Sequence, residues 1–222
     1  MGVFGQAAQF IASHPHLLVT EALGQIELVV ASMVVALVIA LPVGLAVGHL
    51  HRWSFLAISG GNVLRALPTL AIIAVGISIY GIGFVNILVA LVILALPLIL
   101  TNSYVGVAEV DPGVVEAARG MGMTGWQILW RVELPNAVPL IMAGIRTASV
   151  YVIATAYLAT FAGSTDTLGS IIGNESSYGL QGVIAATAVV IVIALIGEVL
   201  FGLSQRALTP KGLKLEPVTA VA

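Results

Sequence analysis

Residues 110–135, VDPGVVEAARGMGMTGWQILWRVELP, form the longest break between apolar stretches that still carries helix signals. Asp111 before Pro112 is an N-cap with proline at the first helical position, where a missing N–H costs nothing. Gly120 and Gly122 can end that helix about nine residues later. Thr124, with Gln127 three residues on, is a capping box that opens a second helix through Trp126, Ile128, Leu129 and Trp130, and Pro135 is expected to close it. Two short helices joined by glycines then sit between apolar spans. Such an elbow presents a shaped surface to something outside a bilayer.

The composition around the elbow requires lipid. Hydrophobic residues make up 59% of the 222 and charged residues 8%, too few to build an ordinary water-facing surface. Cysteine is absent, which removes disulfides and thiolate metal sites. A net charge of -2 gives no footprint for nucleic acid. The start, MGVFGQAAQF, lacks the positive region and cleavage pattern of a signal peptide, so the first span is expected to direct insertion itself.

Upstream of the elbow, residues 1–20 are broken by His14, Pro15 and His16 and read as a short interfacial helix and turn. The first span is expected over 26–47, with a Gly44-x-x-x-Gly48 step that allows close helix contact. His14-x-His16 and His49-x-His51 have no third ligand nearby and read as interfacial histidines. The second apolar block, 55–80, carries Arg65 and Pro68, which predicts a helix bent or broken there with the arginine snorkelling or buried in protein. A third span covers 85–104. Downstream, spans are expected over 137–161 and 183–203, and the tail 209–222 is too polar and short to fold.

The eight basic residues set an orientation. Arg52 and Arg65 follow the first span, Arg119 and Arg131 lie in the elbow, and Arg206, Lys211 and Lys214 follow the fifth; Arg146 lies within the fourth. The N-terminal segment, the turn at Gly81 and residues 163–182 carry no Lys or Arg. The positive-inside rule then puts the N-terminus outside and the elbow and C-terminus in the cytoplasm.

Glu116-Ala117-Ala118, three residues, Gly122, nine residues, then Val132, Glu133, Leu134 and Pro135 resemble the EAA loop (EAA, three residues, G, nine residues, I-x-L-P) of the membrane subunits of binding-protein-dependent ABC importers. Val132 keeps the β-branched shape of the usual isoleucine. The wording from Val110 to Ala148 resembles permeases of the glycine betaine/carnitine/choline branch, and weaker likeness runs from about Pro42 to Thr209. The resemblance implies an all-α integral membrane protein of the type I importer permease fold, about five transmembrane helices forming one domain over 1–222. It implies that Glu116, Ala117, Ala118, Gly120, Gly122, Leu134 and Pro135 couple to an ATPase, with Ala117 and Ala118 small enough for close approach. The implied partners are ABC ATPase subunits, a second permease chain, identical or paralogous, and an extracytoplasmic solute-binding protein, at a bacterial or archaeal cytoplasmic membrane.

The energy source must lie elsewhere. No G-x-x-x-x-G-K-[ST] loop exists in the sequence, so ATP and Mg would be held by the partner and no cofactor by this chain. No nucleophile, base and orienter set stands out, which argues against an enzyme. Inside the bilayer, Arg146 and Glu198 lie at matched depth, roughly 12 to 17 Å from the cytoplasmic side at the helical rise, and are expected to pair across the fourth and fifth spans. A quaternary ammonium solute would favour aromatic faces and weak polar groups, making Asn102, Ser103, Tyr104, Tyr151, Thr155 and Tyr157 candidates for the path. The outer loop at 163–182 carries Asp166 and Glu175 as candidate contacts for a solute-binding protein. An amino-acid importer, methionine-type for example, shares the elbow and stands as the alternative; a passive channel would not need it.

Overall fold

The computed structural model describes residues 2–51, 54–163 and 166–209, and every regular element among them is helical. Helix α1 (Val3–Ser13) ends at His14, and Pro15 opens α2 (Pro15–Leu50), a helix of 36 residues. At about 1.5 Å per residue α2 is longer than a bilayer core, so both ends project from it. The helix begins 11 residues ahead of position 26, where the first span is expected to start. Glu21 and Gln25, in the first turns of α2, are buried against other parts of the chain. Ser170 donates its hydroxyl to Glu21 Oε2 at 2.9 Å, and Gln25 Nε2 donates to the Ile153 carbonyl at 3.3 Å.

Helices α3 (Ser54–Ala66) and α4 (Thr69–Tyr80) meet at Pro68 with a bend of 86°. Proline forces the residue before it out of helical geometry and removes a backbone donor, so the predicted break falls there. Arg65 is exposed and ties the end of α3 to the helix that follows α4 by donating Nη2 to the Pro97 carbonyl at 3.1 Å. Gly81 and Gly83, both at positive φ, turn the chain into α5 (Phe84–Ala108), and the Gly83 N–H bonds the Ala162 carbonyl at 2.9 Å.

After α6 (Pro112–Gly120) and the short α7 (Gly125–Ile128), residues Leu129–Glu133 form a π turn that runs without interruption into α8 (Leu134–Thr155). Pro135 therefore does not close the second elbow helix, contrary to the sequence expectation. The wider π turn just ahead of it absorbs the crowding a proline ring creates one turn back, and Asn136 Nδ2 donates to the Val132 carbonyl at 2.6 Å. With the 3₁₀ segment Ala156–Ala162, the fourth span becomes one apolar rod of 38 residues from Gly125. Helix α9 (Gly169–Ile172) seats the outer loop, and α10 (Glu175–Leu208), broken at Gly179, forms the last span.

Helix α5 is the centre, with α2, α3, α4 and α8 packed around it; α10 lies on α8, and α1 on α10. The contacts are made by small side chains. Ala36, Ala40, Ala90, Ala95, Ala137 and Ala148 are all fully buried, which suits helices that gain little from apolar burial in lipid and must instead pack closely. Among the described residues, four helices are long and apolar enough to cross a membrane, or five if the α3–α4 pair counts as one. Arg52, Lys211 and Lys214, used above for charge, and the tail beyond Thr209 lie outside the described residues.

Candidate functional site

The elbow is built by local capping. Asp111 Oδ1 accepts the Gly113 N–H at 2.7 Å, which starts α6. Gly122 (φ 81°) ends the segment in a left-handed conformation, its N–H on the Arg119 carbonyl and the Met123 N–H on the Ala118 carbonyl. Thr124 and Gln127 then bond each other's backbone N–H at 2.9 and 3.4 Å, the expected capping box. Glu116, Ala117 and Gly120 are exposed on α6. Ala118 is not: it is buried as α6 packs on the π turn, which corrects the reading of both alanines as surface. Val114, Met121 and Trp126 add exposed apolar surface, and Trp126 stands edge-on to Trp130 with ring centres 5.3 Å apart. Leu134 and Pro135 are half-buried in the rod of α8.

Two residues that the sequence reading passed over meet behind this surface. Glu133, the unspecified x of I-x-L-P, is 2% exposed, and its Oε2 lies 2.5 Å from Nδ1 of His49 in the last turn of α2. The ring of His49 also faces Gly125, where a Cβ would stand 3.3 Å from Nε2. A buried carboxylate demands a donor, and that demand was the available signal in the sequence. The donor itself, 84 positions away, was not readable.

Deeper in the bundle, Arg146 Nη2 of α8 donates to Glu198 Oε1 of α10. Their side chains are 39% and 37% exposed, and they line a cavity of about 660 Å³ with Pro139, Gly202, Gln205 and Arg206. Arg146→Gln and Glu198→Gln are each expected to lower the thermal unfolding temperature in detergent, and the double variant to lose less than the two added together. A double loss that equals the sum would show that the pair contributes no mutual stabilisation.

The candidate path residues do not converge. Ser103 is fully buried where Gly44 of α2 presses on α5. Asn102 donates Nδ2 to the Leu98 carbonyl at 2.7 Å and packs on Gly144, which spends it on the α5–α8 contact. Tyr104 backs the same α2–α5 seam through its backbone beside Gly44 and Gly48. Thr155 and Tyr157 are half-buried at the end of α8, and the Tyr157 carbonyl abuts Gly169. Tyr151 alone of the six is exposed, and it shares a groove of about 350 Å³ with Thr147, Leu195 and Glu198. Between the fourth and last spans, Asp166 sits with its backbone against Gly24, and Glu175 is exposed in the first turn of α10.

A bundle of apolar helices with one broken span and a capped elbow entering the fourth defines a multi-pass membrane protein of importer type. The chain belongs to the family described as binding-protein-dependent transport system inner membrane component, which matches residues 40–210. Its relatives include the carnitine transport permease protein OpuCB of Listeria monocytogenes, 42% identical over 69% of this chain and 70% of that one. The glycine betaine/carnitine/choline transport system permease protein OpuCB of Bacillus subtilis is 38% identical over 69% and 70%. The choline transport system permease protein OpuBB of the same organism is 36% identical over 69% and 70%. Among solved structures, an inward-facing MetNI methionine ABC transporter aligns with a TM-score of 0.76 at 22% identity, covering 87% of this chain and 97% of the other. An amino acid ABC transporter with histidines aligns at 0.73 and 21%, covering 89% and 96%. The fold is therefore that of ABC importer permeases.

Proposed function

We propose that this chain is the membrane-spanning permease subunit of an ATP-driven importer for a compatible solute of the glycine betaine, carnitine and choline type. The observation that carries the reading is the elbow: exposed Glu116 and Ala117 on a capped helix, set on a π turn that continues as the rod of α8. An ATPase subunit seats on α6 from the cytoplasm, with the N-terminus outside and the C-terminus inside. Closure of two ATPase subunits around nucleotide pushes α6 against the π turn, and the push enters the bilayer directly because no break separates elbow from span. The chain itself is not an enzyme and holds no ATP, Mg or other cofactor. A second permease chain, identical or paralogous, completes the path, since about five spans enclose little volume. A solute-binding protein docks on the outer side, and no nucleic acid takes part.

The solute class is supported by the relatives at 36–42% identity, all named for carnitine, choline or glycine betaine. The methionine-type alternative rests on structures only 21–22% identical, which speak for fold alone. Uptake of radiolabelled glycine betaine decides between them, in vesicles that hold this chain with its ATPase and solute-binding protein. Uptake that needs ATP and falls with excess carnitine or choline but not methionine is expected. Inhibition by methionine alone would move the assignment to amino acids, and uptake indifferent to ATP would leave a passive channel.

A further inference from the structure

Glu133 and His49 join two segments that are far apart in sequence and that the elbow reading alone leaves unconnected. On one side, the π turn holding Glu133 carries α6, whose Ala118 is buried against it. On the other, His49 follows Gly48, and Gly48 has no Cβ to hold α2 away from α5: one would lie 2.7 Å from Val107 Cβ and 2.9 Å from the Tyr104 carbonyl. The last turn of α2 is thus seated rigidly, and the imidazole projects from it to the buried carboxylate at 2.5 Å. A charged acceptor with a directed N–H donor has one favourable geometry, whereas two apolar side chains filling the same space can slide. The π turn is itself a register change of a kind that recurs at functional positions in helices.

We propose that the His49–Glu133 bond is the joint that makes the elbow and the first long helix move as one body, so that displacement of α6 reaches α2 as well as α8. Both are positioning residues; neither touches solute or nucleotide. The inference rests on the coupling role assigned to the elbow.

Because the chain has no cysteine, spin labels can be placed at Leu50→Cys and Met121→Cys, positions 59% and 75% exposed at the end of α2 and in the elbow. In the complex with its ATPase, the Leu50–Met121 label distance is expected to stay the same between nucleotide-free and ATP-bound states with the joint intact, and to shift between them in His49→Ala. Glycine betaine uptake per ATP hydrolysed is expected to fall about fivefold or more in His49→Ala and Glu133→Ala, the lower range of coupling between sites. His49→Gln, whose amide N–H can still reach Glu133, is expected to recover part of that loss.

A buried carboxylate left alone destabilises on its own account, so the double variant His49→Leu with Glu133→Leu separates structure from coupling. It is expected to unfold at the temperature of the parent chain yet keep the low uptake per ATP and the shifting distance. A double variant with parental uptake per ATP and a constant distance would overturn the joint and leave the pair a packing device. Glu116→Lys in the same assay distinguishes the two levels of the claim. If it lowers uptake per ATP while the joint variants do not, the joint alone falls; if it changes nothing, the elbow's coupling role falls and the joint with it.

Discussion

Gly44→Leu and Gly48→Leu are each expected to destabilise the helix bundle by about 3 kcal/mol, the upper part of the usual range for overpacking a close contact. The two glycines lie one turn apart on α2 and face Leu100, Ser103, Tyr104 and Val107, a row at helical spacing on α5. A Cβ at Gly44 would stand 2.7 Å from Ser103 Cβ and 2.9 Å from the Leu100 carbonyl. Backbone cannot swing aside as a side-chain tip can, so the helices must separate along the seam that holds the molecule's centre. Unfolding in mixed micelles as SDS is raised reads the loss directly. Gly60→Leu is the control: Gly60 is exposed on α3 with nothing near its absent Cβ, and the same change there is expected to stay within about 0.5 kcal/mol of the parent. Equal losses at all three positions would show that close approach is not what Gly44 and Gly48 provide.

The same seam shows what a sequence can and cannot yield. The glycine step was legible, but glycine is frequent in membrane helices, and only the row facing it on α5 gives it weight. The caps at Asp111 and Thr124 were legible because the groups that satisfy them lie within three residues. Proline was read through a local rule that the fold overrides: it breaks the chain at Pro68, where the helix bends by 86°, but lies inside continuous helix at Pro42, Pro97 and Pro139, where neighbours hold the rod together. Pro135 belongs with the second group because the π turn precedes it. The contact between Arg146 and Glu198 was reachable from depth and charge, since a regular helix converts sequence distance into height. His49 and Glu133 sit at the ends of segments whose angle no periodicity fixes, and so their meeting was not. The surroundings of Asn102, Ser103 and Tyr104 were not legible for a related reason: which face of α5 they occupy depends on how α2 and α8 dock.

Glu116→Lys and Gly122→Trp are expected to reduce ATP-driven uptake in the reconstituted vesicles to below about one tenth of the parent, while both still insert and Glu116→Lys leaves the unfolding temperature little changed. Glu116 and Gly122 are both exposed, and nothing stands near where a Cβ at Gly122 would lie, so a loss at Glu116 points to a surface that another protein covers. Reversing the charge at Glu116 removes an acceptor from that surface and adds a flexible cation in its place. Gly122 requires a second comparison, because its φ of 81° strains any residue with a Cβ by about 1–2 kcal/mol. Gly122→Ala carries the strain without the bulk. If uptake survives Gly122→Ala but not Gly122→Trp, the tryptophan acts by blocking the seat of α6 rather than by unwinding its end. If the alanine loses as much, the turn itself must hold α6 at its angle to the π turn, and coupling depends on the set of the elbow more than on its face. Uptake that survives Glu116→Lys and Gly122→Trp alike would remove the coupling role from this elbow, since the two changes alter the charge and the bulk of its exposed face.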